Sequence, residues 1–246
     1  MKTKIGKMPY INSEIFYLNE SDIFNYQIYT PRKMGIAFKD GLIKSGPLSL
    51  VDYFESQDAI PLENFCVSTK KKARSVLLFT DLDINEISNV YVTDETSTSV
   101  NLMKALNNFY WKNPKLKINQ KMKEKTSVLL IGDNALRAQY MKTNQYKTII
   151  DLGEEWNKYT SLPFVFAVWA YKELNNLEKN TLINNINKGI SNIKESIEEI
   201  ALKRADSIMN QSEISDYVNG FTYKISDNEN KAIKLFKEMY NEIKKK

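Results

Sequence analysis

Residues 160–169 read TSLPFVFAVW, and this stretch decides the fold class of the chain. A polar loop ends at Pro163 and is followed by six consecutive apolar residues, from Phe164 to Trp169. A short apolar run that begins at a turn signal is typical of a strand buried on both faces of a sheet. We therefore predict a buried strand at this position.

Outward from this stretch, further short apolar runs predict more buried strands. They are residues 76–79 (VLLF), 90–92 (VYV), 128–131 (VLLI) and 148–150 (TII). Helix-like patterns lie between them; Leu102, Leu106 and Phe109, for example, fall on one helix face. Strands that alternate with helices favour an α/β architecture with a largely parallel sheet.

The last third of the chain predicts amphipathic helices. One apolar stripe alternates steps of three and four, at Ile183, Ile186, Ile190, Ile193, Ile197 and Ile200. A second stripe consists of Ile233, Phe236, Tyr240 and Ile243. We expect both to pack on the same chain, because the heptad run is short for a dimerising coiled coil. That alternative stays open, and the chain is expected to be a monomer or a homodimer.

Charge and hydropathy limit the possible partners. The 246 residues include 35 lysines and arginines against 30 acids, a net charge of +5. Much of the excess lies in the runs Lys70–Lys72 and Lys244–Lys246, which are typical of solvated surface. Without a basic stripe joined to a recognition motif, no nucleic-acid partner is expected. No apolar run approaches the roughly 18 residues of a membrane span, and no signal peptide is visible, so we expect a cytoplasmic protein away from membranes.

The absence of histidine restricts the chemistry. With no histidine and one cysteine, the chain cannot build the common zinc sites, a Ser-His-Asp triad or a Cys-His pair. A carboxylate-only magnesium or calcium site stays possible, but no calcium-loop pattern occurs. We predict no metal and no cofactor. Cys66, between Phe65 and Val67, is predicted to be a small buried thiol.

Three polar segments beside the predicted strands are candidate ligand sites. The hydroxyl run Thr96–Ser99 opens a helix, where it can bind an anion or simply cap the helix. Arg74 and Ser75 precede the strand at 76–79, so Arg74 can clamp a carboxylate or lie on the surface. Asn12 follows a short first strand, where its amide can reach a ligand or form a turn.

Taken in order, the segments resemble the chorismate dehydratase family of the futalosine route to menaquinone. The similarity runs from about Ile5 to the C-terminus. The motifs that carry it are Tyr10-Ile11-Asn12, Gly46-Pro47-Leu48-Ser49 before Asp52-Tyr53, Ser75-Val76, Thr98-Ser99-Val100, Ile131-Gly132-Asp133 with Ala135-Leu136, and Asp151-Leu152-Gly153 with Trp156 through 162–169 (LPFVFAVW). The last block is the most specific.

The resemblance implies a two-lobed α/β fold like that of type II periplasmic binding proteins, here with C-terminal helices. We expect residues 1–92 and 168–246 to form the first lobe and residues 93–167 the second, with the ligand in the cleft between them. A family member removes water from chorismate and gives 3-[(1-carboxyvinyl)oxy]benzoate. Elimination creates an aromatic ring, and without histidine we hypothesise that the enolpyruvyl carboxylate of the substrate itself takes the proton.

The resemblance also implies the site residues. Asn12 and Ser75 would be the catalytic or substrate-orienting pair. The substrate-binding residues would be Ser49, Arg74, Thr98, Ser99, Leu162 and Pro163, of which Thr98 and Ser99 hold a carboxylate at the helix start.

The chain departs from the family pattern at several positions. Lys44 stands where an acid is usual before the Gly-Pro element, and Asn134 stands where alanine is usual after Gly-Asp. Ser161 replaces the usual glycine, a change that matters if this residue needs a positive φ. The alternative function is a non-catalytic or diverged binding protein for a small aromatic or carboxylate metabolite. The sister enzyme of the same pathway is disfavoured, because it is expected to use a histidine base.

Overall fold

The chain folds around two β-sheets, as seen in a computed structural model that describes residues 2–95, 97–120, 127–141 and 146–245. Thr96 and Lys246, which figure in the predictions above, lie outside these ranges. The strands are β1 Thr3–Lys7, β2 Phe24–Ile28, β3 Ser45–Ser49, β4 Ile60–Thr69, β5 Val76–Thr80, β6 Asn89–Val92, β7 Lys117–Asn119, β8 Ser127–Ile131, β9 Thr148–Asp151, β10 Phe164–Tyr171 and β11 Phe221–Lys224.

The first sheet has the strand order β11-β4-β10-β3-β1-β2. The predicted strand after Pro163 is β10, and it lies in the interior of this sheet between β4 and β3. Val168, Trp169 and Ala170 are at most 1% exposed, which confirms the prediction of a strand covered on both faces. The Trp169 indole donates to the Ser45 hydroxyl at 2.8 Å, so its polar atom is satisfied inside the core.

The second sheet has the order β7-β6-β8-β5-β9 and contains the other four predicted strands. The sheets are mixed rather than wholly parallel, because β4 and β10 in the first sheet and β5 in the second run antiparallel to both neighbours. These three strands lie where the chain changes sheets. The second sheet is therefore inserted between two portions of the first.

The chain passes from one sheet to the other at residues that differ from the predicted lobe boundaries. Residues 76–92 were assigned to the first lobe, but β5 and β6 pair within the second sheet. Residues 164–167 were assigned to the second lobe, but they begin β10 of the first sheet. The boundaries depend on which strands pair, and apolar runs alone do not carry that information. The crossings lie at residues 70–75 and 152–163.

Helices surround the sheets, and the isoleucine stripe at residues 183–200 belongs to two helices rather than one long helix. They are α1 Pro31–Lys39, α2 Leu50–Glu55, α3 Thr98–Leu106, α4 Gly132–Tyr140, α5 Leu152–Thr160, α6 Asn176–Ser191, α7 Ile193–Arg204, α8 Gln211–Asn219 and α9 Asp227–Lys244, with the 3-10 helices Ile11–Tyr17 and Ile84–Glu86 and the π-helix Asn107–Trp111. The isoleucine stripe is broken at Asn192, which leaves the helical region with ψ +46°. Its buried members belong to one intrachain core cluster, as expected.

Two further expectations are met. Cys66 is a free thiol and only 1% exposed. The second apolar stripe lies on α9, where Phe236 is completely buried and Tyr240 nearly so. Within the described ranges, no helix combines the length and the apolar character that crossing a bilayer requires.

Candidate functional site

A cavity opens between the two sheets, at the carboxyl ends of their parallel strands. Ser49 ends β3, Ile131 ends β8, and Met8 follows β1 directly. The space in this cleft that is not filled by atoms, open solvent included, is about 570 Å³. Its polar lining consists of Tyr10, Asn12, Ser13, Ser49, Ser75, Ser97, Thr98 and Ser99. In α/β proteins a crevice outside the carboxyl ends of strands is the usual ligand site.

Helix starts make this cavity suitable for an anion. It is lined at Pro31, Thr98 and Gly132 by the first residues of α1, α3 and α4, and at Ser49 by the N-cap of α2. The 3-10 helix Ile11–Tyr17 also begins there. Helix N-termini present unpaired N–H groups and the positive end of the helix dipole. Since the lining side chains are neutral, these starts and the hydroxyls supply the attraction for an anion.

The hydroxyls at the start of α3 have different partners. Thr98 Oγ1 accepts a hydrogen bond from the backbone N–H of Val51 at 3.1 Å, and so caps α2 from the opposite sheet. Ser99 is 7% exposed, and among the described residues its hydroxyl has no protein partner. Ser99 is therefore free to bind a ligand, whereas Thr98 also joins the two halves of the site.

Asp52 links the N-caps of α2 and α3. Its carboxylate accepts from Ser49 Oγ at 2.5 Å and from Ser97 Oγ at 3.1 Å. Burial raises the pKa of the Asp52 carboxyl above its usual value, although hydrogen bonds from both serines oppose this shift. The carboxylate holds two of the lining hydroxyls in fixed positions without lining the cavity itself.

Asn12 reaches the cavity from the 3-10 helix that follows β1. Its Oδ1 accepts from Ser13 Oγ at 3.1 Å, and within the described residues its Nδ2 donates to no protein atom. The backbone just before it is held from the second sheet, since the N–H of Ile11 donates to Asp133 Oδ1 at 3.0 Å. Arg204 pairs with Asp133 at 2.5 Å and with Glu14 at 3.2 Å. The Asn12 amide thus presents a donor at a fixed place.

Ser75 reaches the cavity from the residue before β5 and is 2% exposed. Its hydroxyl accepts from the Tyr217 hydroxyl at 2.8 Å and donates to the Ala73 carbonyl at 3.2 Å. Tyr217 lies on α8 against the first sheet and is completely buried. Sequence reasoning missed Tyr217, and no sequence signal distinguishes it from the other tyrosines of the chain.

Gly132 allows α4 to begin at the cavity wall. Its φ is +59°, in the left-handed region that favours glycine. A Cβ atom here would lie 2.5 Å from the ring of Tyr10. Tyr10 in turn donates to Glu95 Oε2 at 3.3 Å. Close packing of the Tyr10 ring on this backbone shapes the side of the cavity next to Asn12.

Three of the predicted substrate-binding residues lie elsewhere. Arg74 borders a surface depression together with Lys70–Lys72. The backbone N–H groups of Ala73 and Arg74 both donate to the Asp151 carboxylate, and of this segment only Ser75 reaches the cavity. Leu162 and Pro163 do not line the cavity either. Their carbonyls accept from Asn157 at 3.1 Å and from the Trp156 indole at 2.9 Å, respectively. Both belong to the turn that leads from α5 into β10.

The positions that depart from the family pattern also lie outside the cavity lining. Lys44 precedes β3 at the end opposite to Ser49 and pairs with Glu173. Asn134 is exposed on α4. Ser161 ends α5 with a φ of +58°, the conformation in which the replacement of glycine matters. In the described part of the chain, no group of three or more potential metal-binding side chains comes together.

Comparison with solved structures establishes the class of fold. The chain is similar to a protein from Archaeoglobus fulgidus with a TM-score of 0.73 and 14% identity, over 98% of this chain and 97% of that one. It is also similar to the alkanesulfonate-binding protein SsuA from Xanthomonas axonopodis pv. citri, with a TM-score of 0.66 and 9% identity, over 98% and 92% of the two chains. The chain has the two-lobed periplasmic-binding-protein-like fold.

Sequence comparison identifies the family. The profile of the family described as Menaquinone biosynthesis matches residues 3–242, and the chain belongs to that family. The chorismate dehydratase of Thermus thermophilus is 28% identical over 215 residues, which cover 78% of this chain and 78% of that protein.

Proposed function

We propose that this protein is a chorismate dehydratase, a hydro-lyase that converts chorismate into 3-[(1-carboxyvinyl)oxy]benzoate. The single observation that carries the proposal is the cavity in which Asn12, Ser75 and Ser99 meet among helix starts, without a histidine. The family membership and the Thermus thermophilus relative support the same reaction. A cytoplasmic location fits the biosynthetic role of the family.

The site would bind the substrate through its two carboxylates. Chorismate is a dianion, and the starts of α3 and α4 provide N–H donors on the side of the second sheet. Ser99 would hold one carboxylate together with Thr98, whose proton is free to donate while its oxygen caps α2. Ser49, whose proton is donated to Asp52, would bind from the first sheet by accepting from the ligand hydroxyl. A ligand held from both sheets keeps the lobes closed and excludes water.

Dehydration needs little base strength from the protein. A proton leaves the ring carbon that carries the enolpyruvyl ether, the hydroxyl leaves the neighbouring carbon, and the ring becomes aromatic. The enolpyruvyl carboxylate of the substrate would accept the proton. The Asn12 amide would orient that side chain, and Ser75 would donate to an oxygen of the ligand. Positioning and fixed donors of this kind can each supply several kcal/mol of barrier reduction, on the order of a thousandfold in rate.

The proposal is tested by mixing purified protein with chorismate and following ultraviolet absorbance, with the product identified by chromatography. We expect formation of the aromatic ether by the wild-type protein. Asn12→Ala and Ser75→Ala should each lower kcat by about a hundredfold or more while remaining folded by circular dichroism. Lys44→Ala is the matched control, because Lys44 lies at the far end of β3 and should leave turnover unchanged.

Two results would contradict the proposal. If the wild-type protein binds chorismate saturably but forms no product, the alternative of a non-catalytic binding protein is correct. If both Asn12→Ala and Ser75→Ala retain wild-type turnover in folded proteins, the assignment of their roles is wrong.

A further inference from the structure

The Ser75 hydroxyl stands between a buried phenol and the cavity. A serine hydroxyl has one proton to donate and two lone pairs that accept. One lone pair is occupied by the Tyr217 hydroxyl at 2.8 Å, and the proton points to the Ala73 carbonyl at a longer distance of 3.2 Å. The phenol therefore restricts how Ser75 can turn its proton and its remaining lone pair.

The two residues belong to different halves of the molecule. Ser75 begins the second sheet, and Tyr217 comes from α8, which packs against the first. Tyr217 is 0% exposed, and its ring packs edge-on against Phe221 at 5.1 Å between ring centroids. Burial raises the pKa of the Tyr217 phenol well above its usual value, so the group stays protonated and remains a donor at physiological pH.

We propose that Tyr217 is a positioning residue for the dehydration, because its hydroxyl fixes Ser75 as a hydrogen-bond donor to the bound ligand. When a ligand oxygen replaces the Ala73 carbonyl as acceptor, the bond from Tyr217 keeps the Ser75 oxygen in place while its proton turns to the ligand. A hydroxyl that receives one hydrogen bond also donates a stronger one. This inference rests on the proposed function and adds to it a residue that does not touch the substrate.

The chain offers a matched control for removing this phenol. Tyr223 on β11 is also buried, 3% exposed, but its hydroxyl has no hydrogen-bond partner in the described part of the chain. Tyr217→Phe and Tyr223→Phe therefore remove the same atom from two buried tyrosines. Only the first change removes a bond to Ser75.

The experiment compares chorismate turnover and thermal unfolding of the wild type and both variants. Tyr217→Phe should lower kcat about tenfold and leave KM within about threefold, because loss of one oriented bond weakens donation in the transition state. Tyr223→Phe should keep kcat within about twofold. Wild-type turnover is measured first: its absence refutes the proposed function, whereas an active wild type with an equally active Tyr217→Phe refutes only this inference.

A double-mutant cycle distinguishes positioning from a purely structural role. In a Ser75→Ala background, Tyr217→Phe should change kcat by less than about twofold, because the group it orients is gone. A further tenfold loss in that background would show that Tyr217 acts through other contacts and would overturn the inference. If Ser75→Ala turns over too slowly for a steady-state assay, the same cycle is measured on the rate of a single turnover with excess enzyme. If Tyr217→Phe is unstable at the assay temperature, all four proteins are compared at a temperature below its unfolding midpoint.

Discussion

Thr98 and Ser99 are neighbours at the start of α3, but their hydroxyls serve different purposes. Ser99 has no protein partner among the described residues, whereas Thr98 satisfies the buried N–H of Val51. A ligand contact and a structural contact are thus made by two adjacent residues. Substitution of each can distinguish binding from stability.

We expect Ser99→Ala to raise KM about tenfold without changing the free energy of unfolding, because only a ligand contact is lost. Thr98→Val should destabilise the protein by about 1–3 kcal/mol, because the Val51 N–H loses its acceptor in a buried place. Steady-state kinetics and urea unfolding measure the two effects. Equal losses of stability in both variants would contradict this division of roles.

The buried carboxyl of Asp52 predicts a pH dependence of stability. Its pKa in the folded protein lies above the ordinary value of 3.8, so folding favours the protonated form. The contribution of Asp52 to stability is therefore largest below about pH 3.8 and falls as pH rises through the folded pKa.

Asp52→Asn removes this titration. Relative to the wild type, the variant should gain stability between about pH 4 and pH 7, and chemical denaturation at the two pH values measures the gain. Glu55→Gln is the control, because the pKa of the Glu55 carboxyl is shifted in the opposite direction. Its hydrogen bond from Lys244 lowers this pKa more than burial raises it. A stability difference between Asp52→Asn and wild type that does not vary with pH would contradict the prediction.

Individual residues were predictable where their chemistry and their place along a strand agreed. Asn12, Ser75, Ser49, Thr98 and Ser99 follow or precede apolar runs, and the structure brings all of them to one cavity. Arg74 has the same sequence context as Ser75, but its φ of +56° lies in the left-handed region, and this turn before β5 is not visible in the local pattern. Tyr217 is distant in sequence, and its contact with Ser75 depends on how α8 packs.

At the level of elements, the turn between α5 and β10 contains a residue under strain. Ser161 adopts φ +58°, where a side chain with a Cβ atom costs roughly 1 kcal/mol relative to glycine. Ser161→Gly should therefore raise the free energy of unfolding by about 1 kcal/mol, as measured by urea denaturation. Ser161→Ala is the control and should have little effect. A glycine variant no more stable than the alanine variant would contradict the explanation.

The contact between α6 and the 3-10 helix Ile11–Tyr17 requires a glycine. A Cβ atom at Gly189 would lie 2.3 Å from the Ile15 carbonyl oxygen. Gly189→Ala should cost about 1–3 kcal/mol by overpacking, although alanine favours helix by about 1 kcal/mol. Asn184→Ala, at an exposed position of α6, should be neutral or stabilising. Thermal unfolding measures both variants. If the control is destabilised, or if Gly189→Ala is stabilised, the close contact with Ile15 does not require a glycine.

Elements with a strong local signal were predictable, and their interruptions were not. β10 and α9 follow directly from an apolar run and an amphipathic stripe. The break at Asn192 was missed, because the isoleucine spacing continues through it and both helices present their apolar faces to one core.

At the scale of the whole molecule, the two halves are joined by charged side chains next to the site. Asp133 on α4 accepts from the Ile11 backbone and pairs with Arg204 on α7. Arg137 on α4 forms a second pair, at 2.5 Å, with Asp206 in the loop after α7. Both of these side chains are about one-third exposed. The network of Asp133, Arg204 and Glu14 is less exposed, at 17%, 27% and 8%, and should contribute more than the second pair.

Asp133→Ala should therefore cost about 2 kcal/mol and loosen the cleft, because the Ile11 N–H loses its acceptor and Arg204 keeps only Glu14. Calorimetry measures the first effect, and a larger radius of gyration in small-angle scattering measures the second. Arg137→Ala is the control and should change stability by no more than about 1 kcal/mol. An unchanged radius for Asp133→Ala would show that other contacts hold the lobes together.

The lobe boundaries were the least predictable feature. The class of fold follows from alternating strands and helices, but strands β5 and β6 look like a continuation of the first lobe when only their apolar character is considered. The pairing of β5 with β8 and β9 involves residues about 50 to 75 positions away, and such long-range pairing is not encoded in local patterns.

The insertion of one sheet within the other has a consequence for biosynthesis on the ribosome. All strands of the second sheet lie between Val76 and Asp151, so that sheet can be completed as soon as β9 has left the exit tunnel. The first sheet must wait for β10, its interior strand, and for β11. During translation β1, β2 and β3 therefore remain without their central neighbour, and chaperones that protect exposed strand edges would act on them in this interval.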